Sequence, residues 1–255
     1  MDNKLLVTIP TLGNRLSSLK FTLASIQEFI PLADIEIRTP NVNLESQIIN
    51  FVNNDTRVVI DQGGQALAIL NSWNENQNIW CTWINDDDFA LDGITATISL
   101  MSQYEIEKKP IVIYGDLVVM SAKETLRIKT PKRISKWLLT GGSDYIPGVL
   151  TVINREAVKI VTKSSLRDGL LRNSFDYQWW LQLADAKAFF KHSGACHAAW
   201  RDHPGARTKL EFTFSNLESD KIKTQYIRTL LGVRFIKNIN SLIAKIFAKI
   251  SSFRN

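Results

Sequence analysis

Cysteine is nearly absent from this sequence: Cys81 and Cys196 are the only two in 255 residues. Neither belongs to a C-x-x-C pair, which argues against a disulfide framework and a cysteine zinc site and fits a reducing compartment. Long hydrophobic runs are also missing. The apolar stretch from Leu5 to Ile9 stops at Pro10, too short for a signal peptide or a membrane span, so a cytoplasmic protein is expected. Internal repeats and low-complexity tracts are absent as well, which leaves no sign of a repeat architecture. Acidic residues are lacking from Lys221 to Asn255, where seven lysines and arginines follow Lys221 itself.

What is present is an ordinary globular composition, 45% hydrophobic and 22% charged, enough for one large domain or two small ones. The formal charge of +6 favours an anionic partner such as a nucleotide, a nucleic acid or an acidic membrane face. Through the first two thirds, strands alternate with helices. Strands are expected at 5–9, 35–38, 57–60, 80–84 and 111–114. Between them lie helical stretches at 44–52, 66–74 and 93–104, after a first helix with Leu16, Leu19, Leu23 and Ile26 at helical spacing. This rhythm predicts an α/β fold with a mostly parallel central sheet, which binds ligands at the carboxyl ends of its strands. After Met120 the pattern turns irregular, with a basic loop at 129–136 and a GGSDYIPG segment. A helix follows from Phe175 to Ala184, then the sequence AWRDHPGARTK.

The most informative stretch is CTWINDDDFALDG, where an apolar strand ends in Asn85, Asp86, Asp87 and Asp88. Adjacent carboxylates repel one another, and at the end of a buried strand they need a counter-charge. A hard cation such as Mn²⁺ or Mg²⁺, bridging one or two carboxylates to phosphate oxygens, supplies it. A solvated acidic turn before a helix is the alternative.

The serial order of several motifs resembles the family-2 glycosyltransferases of the A-type fold. These motifs are Ile9-Pro10-Thr11, the run from Trp83 to Asp88, Tyr114-Gly115-Asp116, YIPG at Tyr145 followed by Asn154 to Ala157, DYQWWLQLA at Asp176 and WRDHPGART at Trp200. The resemblance covers roughly residues 4 to 210 and implies a nucleotide-diphospho-sugar as donor substrate, with Mn²⁺ or Mg²⁺ as cofactor. It places Pro10, Thr11, Arg15, Gly64, Asn85 and Asp86 on the nucleotide side, and Asp87, Asp88 and His203 at the metal. The family's D-x-D falls on Asn85 to Asp87, favouring Asp87 as ligand, while Asp86 and Asp88 form a second D-x-D pair that leaves the register open. Arg201 and Arg207 are further candidates for neutralising diphosphate. The family's aspartate after the second strand is missing here, where only Asn41 and Asn43 are near, so the nucleobase stays open.

The same resemblance assigns the general base to Asp176, at a helix start whose dipole favours an ionised carboxylate. Phe175 stands where the family more often has an acidic residue. Of the adjacent Trp179 and Trp180, one is expected in the core and the other is free to stack on a sugar. From Lys237 onward, Ile239, Leu242, Ile243, Ile246, Phe247, Ile250 and Phe253 recur at helical spacing among lysines. Such a basic amphipathic helix suits the anionic inner face of a membrane, or a site on its own domain or a partner subunit.

The expected organisation is a catalytic domain over 1–210, with a nucleotide and metal half at 1–120 and an acceptor half at 121–210, followed by a basic helical tail at 211–255. The expected function is metal-dependent, inverting sugar transfer to a glycan or lipid-linked acceptor in bacterial surface polysaccharide synthesis. A nucleotidyltransferase on a related sheet, or a membrane-binding protein with a degenerate transferase domain, are the alternatives. Nucleic acid is not an expected partner, because the acidic triplet repels phosphate polymers.

Overall fold

The structure is a computed structural model that describes residues 5–49, 52, 56–141, 144–206 and 210–227. Its first strand, β1 (Leu5–Pro10), is buried at every position. A strand covered on both faces must be apolar throughout rather than alternating. The polar exception, Thr8, hydrogen-bonds the hydroxyl of Ser72 at 2.7 Å. Helix α1 (Leu16–Phe29) buries Leu19, Leu23 and Ile26, as their spacing predicts. Then come β2 (Asp34–Thr39), α2 (Leu44–Ile48), β3 (Thr56–Ile60), α3 (Gly64–Glu75) and β4 (Trp80–Trp83).

These four strands lie in the order β3-β2-β1-β4, all parallel. The chain moves outward from β1 to β3 and returns to pair β4 on the other side of β1. At such a reversal the carboxyl ends of the central strands, here β1 and β4, are the usual ligand site of parallel sheets.

Beyond β4 the sheet is mixed. After β5 (Phe89–Ala90) and α4 (Ile94–Gln103) comes the long β6 (Ile111–Ser121), with β7 (Thr125–Ile128) paired antiparallel to its second half. Next are α5 (Lys136–Gly141), β8 (Val152–Asn154), α6 (Arg155–Asp168), α7 (Phe175–Asp185), β9 (Phe189–Asp202) and α8 (Phe212–Ile227). Strand β8 is antiparallel to both β4 and β6, β9 is parallel to β6, and β5 is antiparallel to β9. The mostly parallel sheet expected from the sequence thus describes the β3-to-β4 half, and the remainder alternates in direction. Strands β6 and β9 slip register around Gly115, where an added Cβ would lie 2.4 Å from the Ala195 carbonyl oxygen. Only glycine allows that approach.

One nine-stranded sheet runs through both expected halves of the catalytic region. Helix α7 is buried on almost every side, with Trp179 and Trp180 both fully enclosed. Helix α8 packs on α5 and α7. The amphipathic pattern from Lys237 to Phe253 lies outside the described residues, as does Arg207. No helix among the described residues is long and apolar enough to cross a membrane.

Candidate active site

Thr11 follows Pro10 at the end of β1, and its N–H donates to the Arg38 carbonyl at 2.9 Å, extending the pairing with β2. Its hydroxyl accepts the Gly13 N–H at 3.0 Å and donates to Asp86. The loop is compact because Gly13 takes a φ of +74°, and a Cβ there would meet Asn41 Nδ2 at 2.8 Å. On the neighbouring strand, the Ile84 N–H donates to the Thr8 carbonyl at 3.0 Å, and the next residues turn out of the sheet.

The three aspartates then part company. Asp86 is held by Thr11 and by Arg15 Nη2 at 2.7 Å, while Asp87 meets Arg15 Nη1 and lies 2.9 Å from His203 Nε2. Asp88 turns inward, accepting from Asn85 Nδ2 at 2.7 Å and from the Arg201 N–H at 3.0 Å. Their relative exposures are 1%, 7% and 0%. Burial raises the Asp86 carboxyl above its ordinary range, and burial followed by the charge of Asp87 pushes Asp88 up to about 7. Thr11, Arg15, Asp86, Asp87 and His203 therefore form one cluster, from which Asp88 is turned away.

Arg201 is engaged within the protein. Its Nε donates to the Asp87 carbonyl at 2.5 Å, its Nη2 to Ser18 Oγ at 2.7 Å, and its guanidinium lies 5.0 Å from the Phe89 ring centroid. Among the described residues, no group of three or more histidine, cysteine, aspartate or glutamate side chains is arranged as a metal-binding set. Asp87 and His203 make a pair rather than a set of three.

Asn85 is fixed from two sides, accepting from Gln65 Nε2 at 2.7 Å and donating to Asp88. Gln65 follows Gly64, whose φ is +76° and beside which a Cβ would find open space within 4 Å. The preceding turn is tied by Asp61, whose Oδ1 accepts the Gly63 N–H at 2.8 Å. Asn41 Oδ1 is already engaged by the Asn43 N–H at 3.0 Å.

Asp176 opens helix α7 and accepts the Tyr177 N–H at 2.9 Å. Its helix is seated on the end of β4 by Phe175, whose ring centroid lies 5.4 Å from that of Trp83. Gly148 backs onto both: a Cβ there would lie 2.5 Å from Asp176 Oδ2 and 2.6 Å from Trp83 Cζ2. Burial pushes Asp176 up to about 6, and burial together with the charge of Asp176 holds Asp144 well above the ordinary carboxylate range. Neither tryptophan of α7 is available for stacking on a sugar: Trp179 Nε1 bonds Ser165 Oγ at 3.3 Å and Trp180 Nε1 the Ile146 carbonyl at 3.2 Å.

Sequence reasoning gave no role to Gln65 or Asp144, although they lie in the glycine-containing QGGQA and GGSDYIPG segments. It also gave no role to Asp116 of the YGD segment. That side chain accepts from Arg127 Nη2 at 2.7 Å and the Thr130 N–H at 3.0 Å, with His192 Nε2 at 3.1 Å, so it ties β6 to the β7 hairpin and β9.

No protein-family model matches the chain, and no curated protein matches it. Solved structures do. A fragment of S. aureus TarS, residues 1–349, in complex with UDP-GlcNAc superposes with a TM-score of 0.56 at 10% identity, covering 88% of this chain and 71% of that one. The chain has the A-type glycosyltransferase fold. The same TarS fragment without a named ligand gives a TM-score of 0.55 over 94% of this chain and 78% of the other, at 10% identity. Its UDP complex gives 0.51 over 88% and 65%, again at 10% identity.

Proposed function

We propose that this chain is a metal-dependent, inverting glycosyltransferase that moves a sugar from a nucleoside diphosphate donor to a glycan or lipid-linked acceptor, in bacterial surface polysaccharide assembly. The observation that carries this reading is the cluster at the carboxyl ends of β1 and β4. Two buried carboxylates, Asp86 and Asp87, share one guanidinium that is itself 38% exposed, with an imidazole nitrogen 2.9 Å from Asp87. Buried like charges with so little compensation call for a further cation.

Carboxylate oxygen and imidazole nitrogen suit Mn²⁺, and the carboxylates alone suit Mg²⁺, so the donor set fits the group. Asp87 and His203 would hold the ion, and phosphate oxygens of the donor would complete its shell. Bound there, the metal supplies positive charge to a departing diphosphate. The likeness in fold to a TarS fragment crystallised with UDP-GlcNAc and with UDP supports a nucleotide-sugar donor.

The chain's own residues do the rest. Thr11 and the Gly13 turn hold Asp86, and Asn85, braced by Gln65, presents an amide edge to the nucleotide. Arg15 exchanges its carboxylate partners for phosphate oxygens through charge-assisted hydrogen bonds. Asp176 takes the proton of the acceptor hydroxyl as that oxygen attacks the anomeric carbon opposite the leaving diphosphate, which inverts the centre. A carboxylate raised toward neutrality by burial is a stronger base that is still ionised at pH 7.

The sequence pattern from Lys237 to Phe253 supports peripheral attachment to an anionic membrane. Co-sedimentation of full-length and tail-deleted protein with anionic liposomes tests that part, and equal recovery of both in the supernatant would remove it. For the transferase reading, thermal shift against a panel of nucleotide sugars with Mn²⁺, followed by donor hydrolysis with and without the ion, is decisive. Binding and metal-dependent turnover are expected, and the absence of both for every donor would overturn it.

A further inference from the structure

A single carboxylate on α8 holds the backbone from which the helix of Asp176 starts. Glu218 is 9% exposed. Its Oε1 accepts the Arg172 N–H at 2.9 Å, and its Oε2 accepts the N–H groups of Asn173 at 2.8 Å and Ser174 at 3.0 Å. Three successive amide donors turned onto one anion form a nest. They are also the donors immediately ahead of α7, whose N-cap residue Ser174 makes no side-chain cap bond to its own helix. The Ser174 hydroxyl is turned to α8 instead, lying 3.2 Å from the Ser215 carbonyl oxygen and 3.0 Å from Ser219 Oγ. The backbone that leads into α7, up to its N-cap residue, is therefore held by another helix, across 44 to 46 positions of sequence.

Asp176 is in the first turn of α7, two residues beyond the last amide that Glu218 holds. Taking Asp176 as the base of the proposed transfer, we infer that Glu218 is a positioning residue for it: the carboxylate clamps 172–174 and so sets where the Asp176 carboxylate stands. Helix α8 then belongs to the catalytic apparatus and is more than the start of an appended tail. Lys223, further along α8, lies 5.9 Å from the Tyr177 ring centroid, a second contact between the two helices. The energetic logic is that a reacting group misplaced by about 1 Å costs on the order of 100-fold in rate. Without the clamp, three amide donors lose their acceptor and the turn has to find another arrangement.

The test compares Glu218→Ala and the milder Glu218→Gln with wild type in full-length protein, using a nucleotide sugar and Mn²⁺ that wild type turns over. Amide hydrogen exchange at Arg172, Asn173 and Ser174 reports on the clamp directly and does not depend on activity. The expected result is faster exchange at these amides, kcat down about 10- to 100-fold in Glu218→Ala with partial recovery in Glu218→Gln, and donor KM within about twofold of wild type. Glu211→Gln is the control, because Glu211 contacts the side chains of Arg172 and Asn173 rather than the backbone donors. It should keep kcat within about twofold. A folded Glu218→Ala protein with faster exchange but wild-type kcat overturns the inference, as does a parallel change in kcat and donor KM. If wild type turns over no nucleotide sugar at all, the transferase reading fails first, before any variant is measured, and this inference falls with it.

Discussion

His203 Nε2 lies 2.9 Å from Asp87 Oδ2, a contact that spans 116 positions and joins the end of β4 to the segment after β9. Arg15 completes the group, with its Nη1 3.5 Å from the same imidazole nitrogen. This relationship sets the first prediction. Mn²⁺ with UDP should raise the melting temperature of wild type, because a ligand that binds only the folded state stabilises it by about 2.7 kcal/mol at roughly 100 times its Kd. Asp87→Asn should lose the metal-dependent part of that gain, and His203→Ala should need more Mn²⁺ to reach it. Arg15→Gln should bind Mn²⁺ more tightly in the absence of nucleotide, since the competing guanidinium is gone. Equal metal responses in all four proteins would rule out this pair as ligands.

Asp176→Asn should lower kcat by about 10² to 10⁴ while leaving donor KM nearly unchanged. As the proposed base Asp176 works ionised, so wild-type kcat should fall as pH drops through about 6 and level off above it. Because Asp144 titrates together with Asp176, that limb belongs to the pair. A kcat that is flat from acid to neutral pH would contradict the assignment.

Gly148→Ala places a methyl group 2.5 Å from Asp176 Oδ2 and 2.6 Å from Trp83 Cζ2, so the Asp176 carboxylate has to move. Transfer should drop about 100-fold while UDP titrations match wild type. Weakened UDP binding in this variant would instead mean that Gly148 shapes the donor side.

His197 is fully buried, and neither ring nitrogen has a hydrogen-bond partner among the described residues. Burial pushes its pKa down to about 3. The unfolded chain therefore binds the extra proton between about pH 6.5 and 3, and stability is lost as pH falls through that window. His197→Leu removes an unsatisfied polar ring and should stabilise the protein by about 1–3 kcal/mol at pH 8. At pH 5 the gain should be larger by about 2 kcal/mol. Urea unfolding at both pH values measures this, and a gain that does not depend on pH would show that the imidazole is not buried neutral.

The parts of the fold that were legible in the sequence are those written in short-range pattern. The apolar run of β1, the spacing of Leu19, Leu23 and Ile26, and the strand that ends in Asn85 each need only nearest neighbours to be read. Strands β8 and β9 escaped notice. Val152–Asn154 is too short to show a period, and Phe189–Asp202 is buried only at 197–199, around the positions where β5 pairs on its other side, so no alternation runs along it. Of the two tryptophans on α7, both proved to be core, since the helix is covered on nearly every side.

By itself the sequence determined that three carboxylates would follow a buried strand, and that Thr11 and Asp176 would stand at the start of the segments that serve them. Only the tertiary structure decided which partner each carboxylate meets. Adjacent side chains leaving a turn diverge, so Asp86 and Asp87 reach Arg15 while Asp88 goes inward to Asn85 and the Arg201 amide. Tertiary structure alone also brought Glu218 to the start of α7, because a backbone donor records nothing in the sequence about the acceptor that will meet it.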